Sequence, residues 1–302
     1  MSNRCNLCPR NCNVDRTIGK IGYCGQTEKI YVARAALHMW EEPCISGKEG
    51  SGTVFFCGCN LRCIFCQNHI IALGEDRSGC KVGKEVSIVR LKEIFLELQN
   101  LGANNINLVT GSHYIPQIAE ALGAARQEGL HIPVVYNTGG YEKKESLRLL
   151  EGLVDIYLPD MKYVSKELSK EYSSAEDYFE VAKAALEEMV RQVGNLEFDS
   201  RGYLKKGVLV RHLVLPGSTK DSKAVLDYLW NTYGNKIYIS IMNQYTPMEQ
   251  IKNHPLLSRK VTKREYEKVI DYALSLGWEN GFIQEGETAK ESFIPDFNKT
   301  GV

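Results

Sequence analysis

The sequence has no surplus of charge, no long apolar run and no cysteine after Cys80. Its 37 basic residues balance 37 acidic ones, so charge favours neither nucleic acid nor a membrane surface as a partner. The absence of any run of 18 apolar residues argues against a membrane-spanning helix. The opening "MSNRCNLCPRNC" has no apolar core, so we expect no export signal. Clustered thiols in such a chain more often bind metal than form disulfides, and we expect a protein of the reducing cytoplasm.

Short buried runs alternate with helical patterns from about residue 52 onward, which predicts an α/β fold. Six strands joined by helical crossovers imply a parallel sheet, arranged as a partial (β/α)6 barrel. We predict a cysteine-rich, metal-binding extension over residues 1–50, the barrel core over 51–265, and a helix end and tail over 266–302. The predicted strands lie within 52–57, 106–110, 133–137, 154–162, 207–217 and 236–242.

Polar side chains collect near the predicted carboxyl ends of these strands, where barrels of this kind place their chemistry. They occur in "TGSHY" at 110–114, "NTGGYE" at 137–142, "PDMK" at 159–162 and "NQYTP" at 243–247, and Arg211 lies within a strand. His113 is a lone histidine at a strand end, and we interpret it as a hydrogen-bonded structural residue.

The loop after the first core strand has the spacing C-x3-C-x2-C, formed by Cys59, Cys63 and Cys66. Such spacing lets a loop place several thiolates around one inorganic centre. A cubane cluster has four irons, so three cysteines leave one iron free to bind a substrate. A structural zinc site normally takes four ligands. The alternatives are a zinc loop completed by Cys57, or a group of core cysteines.

A second set comprises Cys5, Cys8, Cys12 and Cys24, with the spacing C-x2-C-x3-C-x11-C. Four thiols within twenty residues can complete a tetrahedral metal site, and metal binding would stabilise a segment with little apolar content. Spacing does not separate zinc from a second iron–sulfur cluster, and free thiols are the remaining alternative.

The cysteine loop, with Phe65 before its last cysteine, resembles the C-x3-C-x-aromatic-C motif of the radical SAM superfamily. The chain is most similar to the pyruvate formate-lyase activating enzymes, in particular to their PflX-like branch. The similarity rests on "CNLCPRNCNVDR", "WEEPCISGKEGSGTVFFCGCNLRCIFCQN", "VYNTGGYE", "DIYLPDMKY" and "VRHLVLPG", between residues 5 and 217.

This resemblance implies a 4Fe–4S cluster held by Cys59, Cys63 and Cys66, with S-adenosylmethionine (SAM) on the unique iron. Reductive cleavage of SAM would give methionine and a 5′-deoxyadenosyl radical, which abstracts hydrogen from a protein or peptide. A glycyl radical enzyme is the implied target, and flavodoxin or ferredoxin the kind of electron donor. Lys162 and Arg211 would join the three cysteines as catalytic residues. The implied SAM-binding residues are Phe65, Asn68, Thr110, Gly111, Ser112, Asn137, Thr138, Asp160, Lys162 and Arg211.

One departure from the activating enzymes bears on the substrate. They carry a Gly-Gly-Glu segment for the SAM amino group, whereas this chain has "TGSHY" at 110–114. Backbone carbonyls can still bind SAM there. The departure keeps open the same radical chemistry on a small molecule. A different class of function is also open, a non-catalytic iron–sulfur or zinc protein of electron transfer.

Overall fold

A computed structural model describes residues 4–74, 82–284 and 295–302, so Cys80 lies outside the described residues. Its strands form one mixed sheet in the order β10-β9-β8-β6-β5-β4-β2-β1-β3, with β7 paired to β8 alone. The strands are β1 (Ile30–His38), β2 (Ser51–Phe56), β3 (Lys84–Val86), β4 (Ile106–Val109), β5 (Val134–Thr138), β6 (Ile156–Pro159), β7 (Glu197–Phe198), β8 (Leu204–Leu213), β9 (Tyr238–Met242) and β10 (Gly281–Ile283).

The helices lie mainly in the connections between neighbouring parallel strands, as in a β/α barrel. They are α1 (Pro43–Ser46), α2 (His69–Leu73), α3 (Ile88–Asn100), α4 (Ile115–Gln127), α5 (Lys144–Leu147), α6 (Lys166–Ser173), α7 (Tyr178–Val193), α8 (Thr219–Tyr233) and α9 (Lys263–Leu276). Local signals fix their ends. The Ser87 side chain accepts from Arg90 N at the start of α3, and Thr262 and Glu265 form a capping box at α9.

The predicted partial barrel is confirmed, because β2, β4, β5, β6, β8 and β9 are parallel neighbours in an open sheet. The sheet is larger than predicted. β10 adds a further parallel strand beside β9, and β1 and β3 continue the other edge in antiparallel pairing. Residues 30–38 of the predicted extension therefore belong to the sheet.

Side chains alternate along the core strands between the outer helical layer and the barrel interior. Part of the interior is filled from the N-terminal side of the chain, because Cys44 and Ile45 of α1 pack with Val135, Ile156 and Leu209. The Asn105 side chain at the start of β4 donates to the Ile45 carbonyl at 2.8 Å. The segment before α1, residues 41–42, consequently lies further along the interior, towards the carboxyl ends of the strands.

The helices in the described ranges include none that is both long enough and apolar enough to cross a bilayer.

Candidate active site

A cavity of about 370 Å³ opens at the carboxyl ends of the core strands, within the usual size range of small-molecule sites. It brings together most of the residues predicted from the sequence. Those that line it are Cys59, Cys63, Cys66, Asn68, Thr110, Asn137, Thr138, Asp160, Lys162 and Arg211.

The three cysteines of the loop after β2 share one wall of this cavity. Leu61 N donates to Cys59 Sγ at 3.3 Å, and Ser173 Oγ lies 2.9 Å from Cys63 Sγ. Burial raises the pKa of the Cys66 thiol, and the thiolates of Cys63 and Cys59 raise it further. The thiolate is the form that binds metal, so a positively charged iron centre would have to offset this effect of burial.

Within the described ranges, no three metal-ligating side chains converge as tightly as a single ion requires. A cubane cluster needs a wider arrangement, because each cysteine binds a different iron. Three neighbouring thiols that open onto a cavity, without a fourth protein ligand converging on them, therefore fit a cluster with one free iron better than a structural zinc ion.

An ionic network of Asp160, Lys162 and Arg211 lines the same cavity as the thiols. Against the effect of burial, the Lys162 charge acts to lower the pKa of Cys59 and Cys66. Arg211 Nε donates to Asp160 Oδ1 at 3.0 Å, and Lys162 Nζ lies 2.6 Å from Asp160 Oδ2. Burial acts to raise the pKa of Asp160, but the charges of Lys162 and Arg211 outweigh it and hold that pKa below its ordinary value. For Lys162, burial acts to lower the pKa and the Asp160 charge raises it above its ordinary value. All three groups are therefore charged at neutral pH.

Sequence reasoning missed two acidic residues of this site, Glu41 and Glu42. Arg211 Nη1 donates to Glu41 Oε2 at 3.1 Å, and Asn107 Nδ2 donates to Glu41 Oε1 at 2.9 Å. Burial raises the pKa of both carboxyls, while the Arg211 charge lowers it. The only indication of these residues in the sequence was the pair of acids in "WEEPC", whose local pattern predicts an exposed turn.

Three of the predicted SAM-binding residues are not among the described residues that line the cavity: Phe65, Gly111 and Ser112. Phe65 is buried and packs edge-on against Tyr163, Tyr172 and Tyr245.

Behind the cavity, Glu142 holds two of the predicted segments together. The hydroxyls of Ser112 and Thr138 both donate to its Oε1. Burial raises the pKa of Glu142 to about 7, although the Ser112 and Thr138 hydroxyls act to lower it.

His113 is buried outside the cavity lining, and its Nε2 lies 2.7 Å from the Cys57 carbonyl oxygen. Burial and the Arg16 charge lower its pKa to about 3, so the ring is neutral. This geometry agrees with a structural rather than an acid–base role.

The four N-terminal cysteines lie in a segment that packs against the cysteine loop. Tyr23 N donates to Cys12 Sγ at 3.2 Å, and the Tyr23 hydroxyl donates to the Leu61 carbonyl at 3.3 Å. Burial raises the pKa of Cys8 to about 12, and the thiolates of Cys24 and Cys12 contribute. Cys5 and Cys12 likewise raise the pKa of Cys24. Among the described residues these four thiols do not converge tightly enough to hold a single metal ion, so the metal of this set stays a prediction.

An open parallel barrel whose first core strand leads into a loop of three thiols defines the class of fold and site. Comparison with known proteins agrees. The sequence model of the radical SAM superfamily matches residues 53–229, more than half of the chain. The chain belongs to the radical SAM superfamily, whose enzymes use a 4Fe–4S cluster and SAM. Membership of the PflX-like branch stays a prediction.

Individual relatives and solved structures have low sequence identity to this chain. An uncharacterized protein of Methanocaldococcus jannaschii is 28% identical over 274 residues, covering 89% of this chain and 74% of that protein. Streptococcus suis SuiB bound to SAM has a similar fold, with a TM-score of 0.50 and 16% identity over 76% of this chain. Methylornithine synthase (PylB) also has a TM-score of 0.50, with 13% identity over 74% of this chain. This chain covers 49% of the SuiB chain and 63% of the PylB chain, and these likenesses concern the fold alone.

Proposed function

We propose that this protein is a radical SAM enzyme that reductively cleaves SAM and abstracts hydrogen from a protein or peptide. The observation that carries the proposal is the shared cavity, which is lined both by the three loop thiols and by the Asp160–Lys162–Arg211 network. The first group suits an iron–sulfur cluster and the second a zwitterionic cofactor.

In this proposal Cys59, Cys63 and Cys66 hold the 4Fe–4S cluster. When bound, the cluster supplies the electron that splits the sulfonium of SAM. The protein's own groups orient SAM and exclude water. Lys162 carries three donors and uses one on Asp160, so its ammonium can also bind the SAM carboxylate. Arg211 Nη2 donates to Asn137 Oδ1 at 2.6 Å and so fixes the Asn137 side chain. Asn68, Thr110 and Thr138 line the same cavity.

The open edge of the barrel supports a large substrate, because in the described part of the chain the sheet ends at β10 and does not close against β3. A glycyl radical enzyme is the target that the resemblance to activating enzymes suggests. The "TGSHY" segment favours a second candidate, a small molecule, because Ser112 donates to Glu142 behind the cavity and no Gly-Gly-Glu segment is present. A flavodoxin or ferredoxin in the cytoplasm would supply the electron.

The proposal is tested by anaerobic reconstitution with iron and sulfide, followed by electron paramagnetic resonance of the reduced protein with and without SAM. We expect a reduced-cluster signal that changes when SAM is added. Cys59→Ala should abolish the SAM-sensitive signal. Cys44→Ala, which removes a buried cysteine of the barrel interior, should keep it. A signal that SAM leaves unchanged in the fully loaded protein would contradict the proposal.

Metal analysis of the same preparation addresses the N-terminal set. About four irons per chain with one zinc would indicate a structural zinc site there, whereas about eight irons would indicate a second cluster. Cys8→Ala should remove only the zinc or the second cluster and leave the first four irons.

A further inference from the structure

Among the described residues that line the cavity, one carboxylate forms no direct ion pair. The charged side chains among the described lining residues are Glu41, Glu42, Asp160, Lys162 and Arg211. Lys162 is engaged by Asp160, and Arg211 divides its nitrogens among Asp160, Glu41 and Asn137. His38 adds no charge, since burial lowers its pKa to about 4. The described lining thus has three carboxylates and two cations, and the direct ion pairs of both cations are with Asp160 and Glu41. The Arg211 charge also reaches Glu42 without a direct ion pair, and the Ser240 side chain hydrogen-bonds to Glu42; both act to lower its pKa against the effect of burial.

Glu42 is the carboxylate that remains. It is only 9% exposed, and its Oε2 is buried without a hydrogen-bond partner. A buried polar atom without a partner is costly, and a buried charge more so. A ligand with a hydrogen-bond donor and a positive charge would satisfy such a group in a cavity wall.

Other residues that line the same cavity suit the aliphatic stem of a basic group. The lining residues Met242 at the end of β9 and Phe282 on β10 provide apolar surface, and Trp40, which is 60% exposed, adds a large aromatic ring. Aromatic and apolar walls in the same cavity as a carboxylate favour a compact cation on a hydrocarbon stem.

We infer that Glu42 binds an ammonium or guanidinium group of the substrate and so selects a substrate with a basic side chain or a free amine. This inference rests on the proposed function, because the cavity that holds Glu42 is the proposed SAM cavity. It goes beyond that function by naming the chemistry that the substrate must carry. Glu41 is tied to Arg211 and two asparagines, so it forms part of the wall and not the recognition point.

The test uses the reconstituted protein with SAM and a set of matched probes. The peptide probes are blocked tripeptides with central lysine, arginine, norleucine or citrulline, and the small-molecule probes are cadaverine and agmatine. Binding is measured by anaerobic titration calorimetry, together with the rate of 5′-deoxyadenosine formation. We expect the lysine or arginine probe to bind more tightly than its uncharged analogue. A preference for the peptides over the free amines would identify a basic side chain as the source.

Glu42→Gln should weaken binding of the charged probe by about 30-fold or more and abolish the preference for charge. Glu120→Gln, an exposed glutamate of α4, is the matched control and should behave as the unchanged protein. The affinity for SAM should be the same in all three proteins. Retention of that affinity also shows that Glu42→Gln is folded.

Two results would overturn the inference. One is the absence of any discrimination between charged and neutral probes at millimolar concentration. The other is a Glu42→Gln variant that loses affinity for SAM itself, because Glu42 would then serve the cofactor, whose sulfonium is also a cation. Either result leaves SAM cleavage, and hence the proposed function, intact. Charge-selective binding without any SAM cleavage would instead support the role of Glu42 and contradict the proposed function.

Discussion

The guanidinium of Arg211 and the carboxylate of Asp160 form a partly buried ion pair between β8 and the end of β6, with Nε 3.0 Å from Oδ1. The Arg211 side chain is 16% exposed and that of Asp160 is 17% exposed. Arg211 also bonds Glu41 from the segment before α1. One guanidinium therefore joins two core strands to the chain that fills the barrel interior.

Replacing this arginine should destabilise the protein far more than replacing a surface arginine. Arg211→Met leaves Asp160 and Glu41 with less compensation for their charge, and we expect a loss of about 3–5 kcal/mol in the free energy of unfolding. Arg90→Met is the control, because Arg90 pairs with Glu93 and Glu97 on the surface of α3, and it should cost under about 1 kcal/mol. Urea titration measures both, and equal losses would show that the network does not act as described.

The N-terminal segment is fastened to the cysteine loop by Arg10. Its Nε donates to the Asn60 carbonyl at 2.7 Å, one Nη donates to the Ser173 carbonyl at 2.8 Å, and its guanidinium lies 3.9 Å from the Tyr23 ring centroid. The other Nη donates to the Ser174 carbonyl. Three carbonyl acceptors in fixed directions require the planar guanidinium, which lysine does not have.

Arg10→Lys should therefore reduce the free energy of unfolding by on the order of 2–3 kcal/mol and expose the N-terminal segment to protease. Lys20→Gln, an exposed change in the same segment, should do neither. Unchanged protease resistance in Arg10→Lys would mean that other contacts fasten the segment.

Glu142 should make stability depend on pH in a defined window. Its carboxyl titrates at its ordinary value of 4.5 when unfolded and at about 7 in the folded protein, because burial favours the neutral form. Between these values the folded state keeps a proton that the unfolded state has released, so stability falls as pH rises. The total contribution is about 3 kcal/mol.

Glu142→Gln removes this contribution, and comparison with the unchanged protein at each pH cancels the other titrating groups. From pH 5 to pH 7.5, we expect the variant to gain about 2.5 kcal/mol relative to the unchanged protein in urea unfolding. A difference that stays constant across this range would show that Glu142 titrates at its ordinary value.

The sequence predicted the core strands because each is a short apolar run between helical patterns, and such runs form parallel sheets. β1 and β10 were missed for a different reason. β1 follows the cysteine-rich segment, and its buried and exposed positions alternate imperfectly. Its pairing with β2 is a tertiary contact that a local sequence pattern does not specify. β10 has only three residues.

The same distinction applies to the candidate site. Cys59, Cys63 and Cys66 were found because spacing along the chain sets their geometry. Glu41 and Glu42 were not, because the barrel interior buries acids that local sequence presents as ordinary polar residues. Phe65 and Ser112 were assigned to SAM by resemblance, and their packing partners, Tyr163 and Glu142, depend on the tertiary fold.

The central claim is that three cysteines of one loop serve SAM cleavage. The most direct measurement is 5′-deoxyadenosine formed from SAM by the anaerobically reconstituted, dithionite-reduced protein, compared with the Cys59→Ala, Cys63→Ala and Cys66→Ala variants and with Cys44→Ala. We predict that the unchanged protein and Cys44→Ala form the nucleoside and that the three loop variants do not. Equal nucleoside formation by the loop variants, or no binding of SAM by the fully loaded protein, would contradict the account.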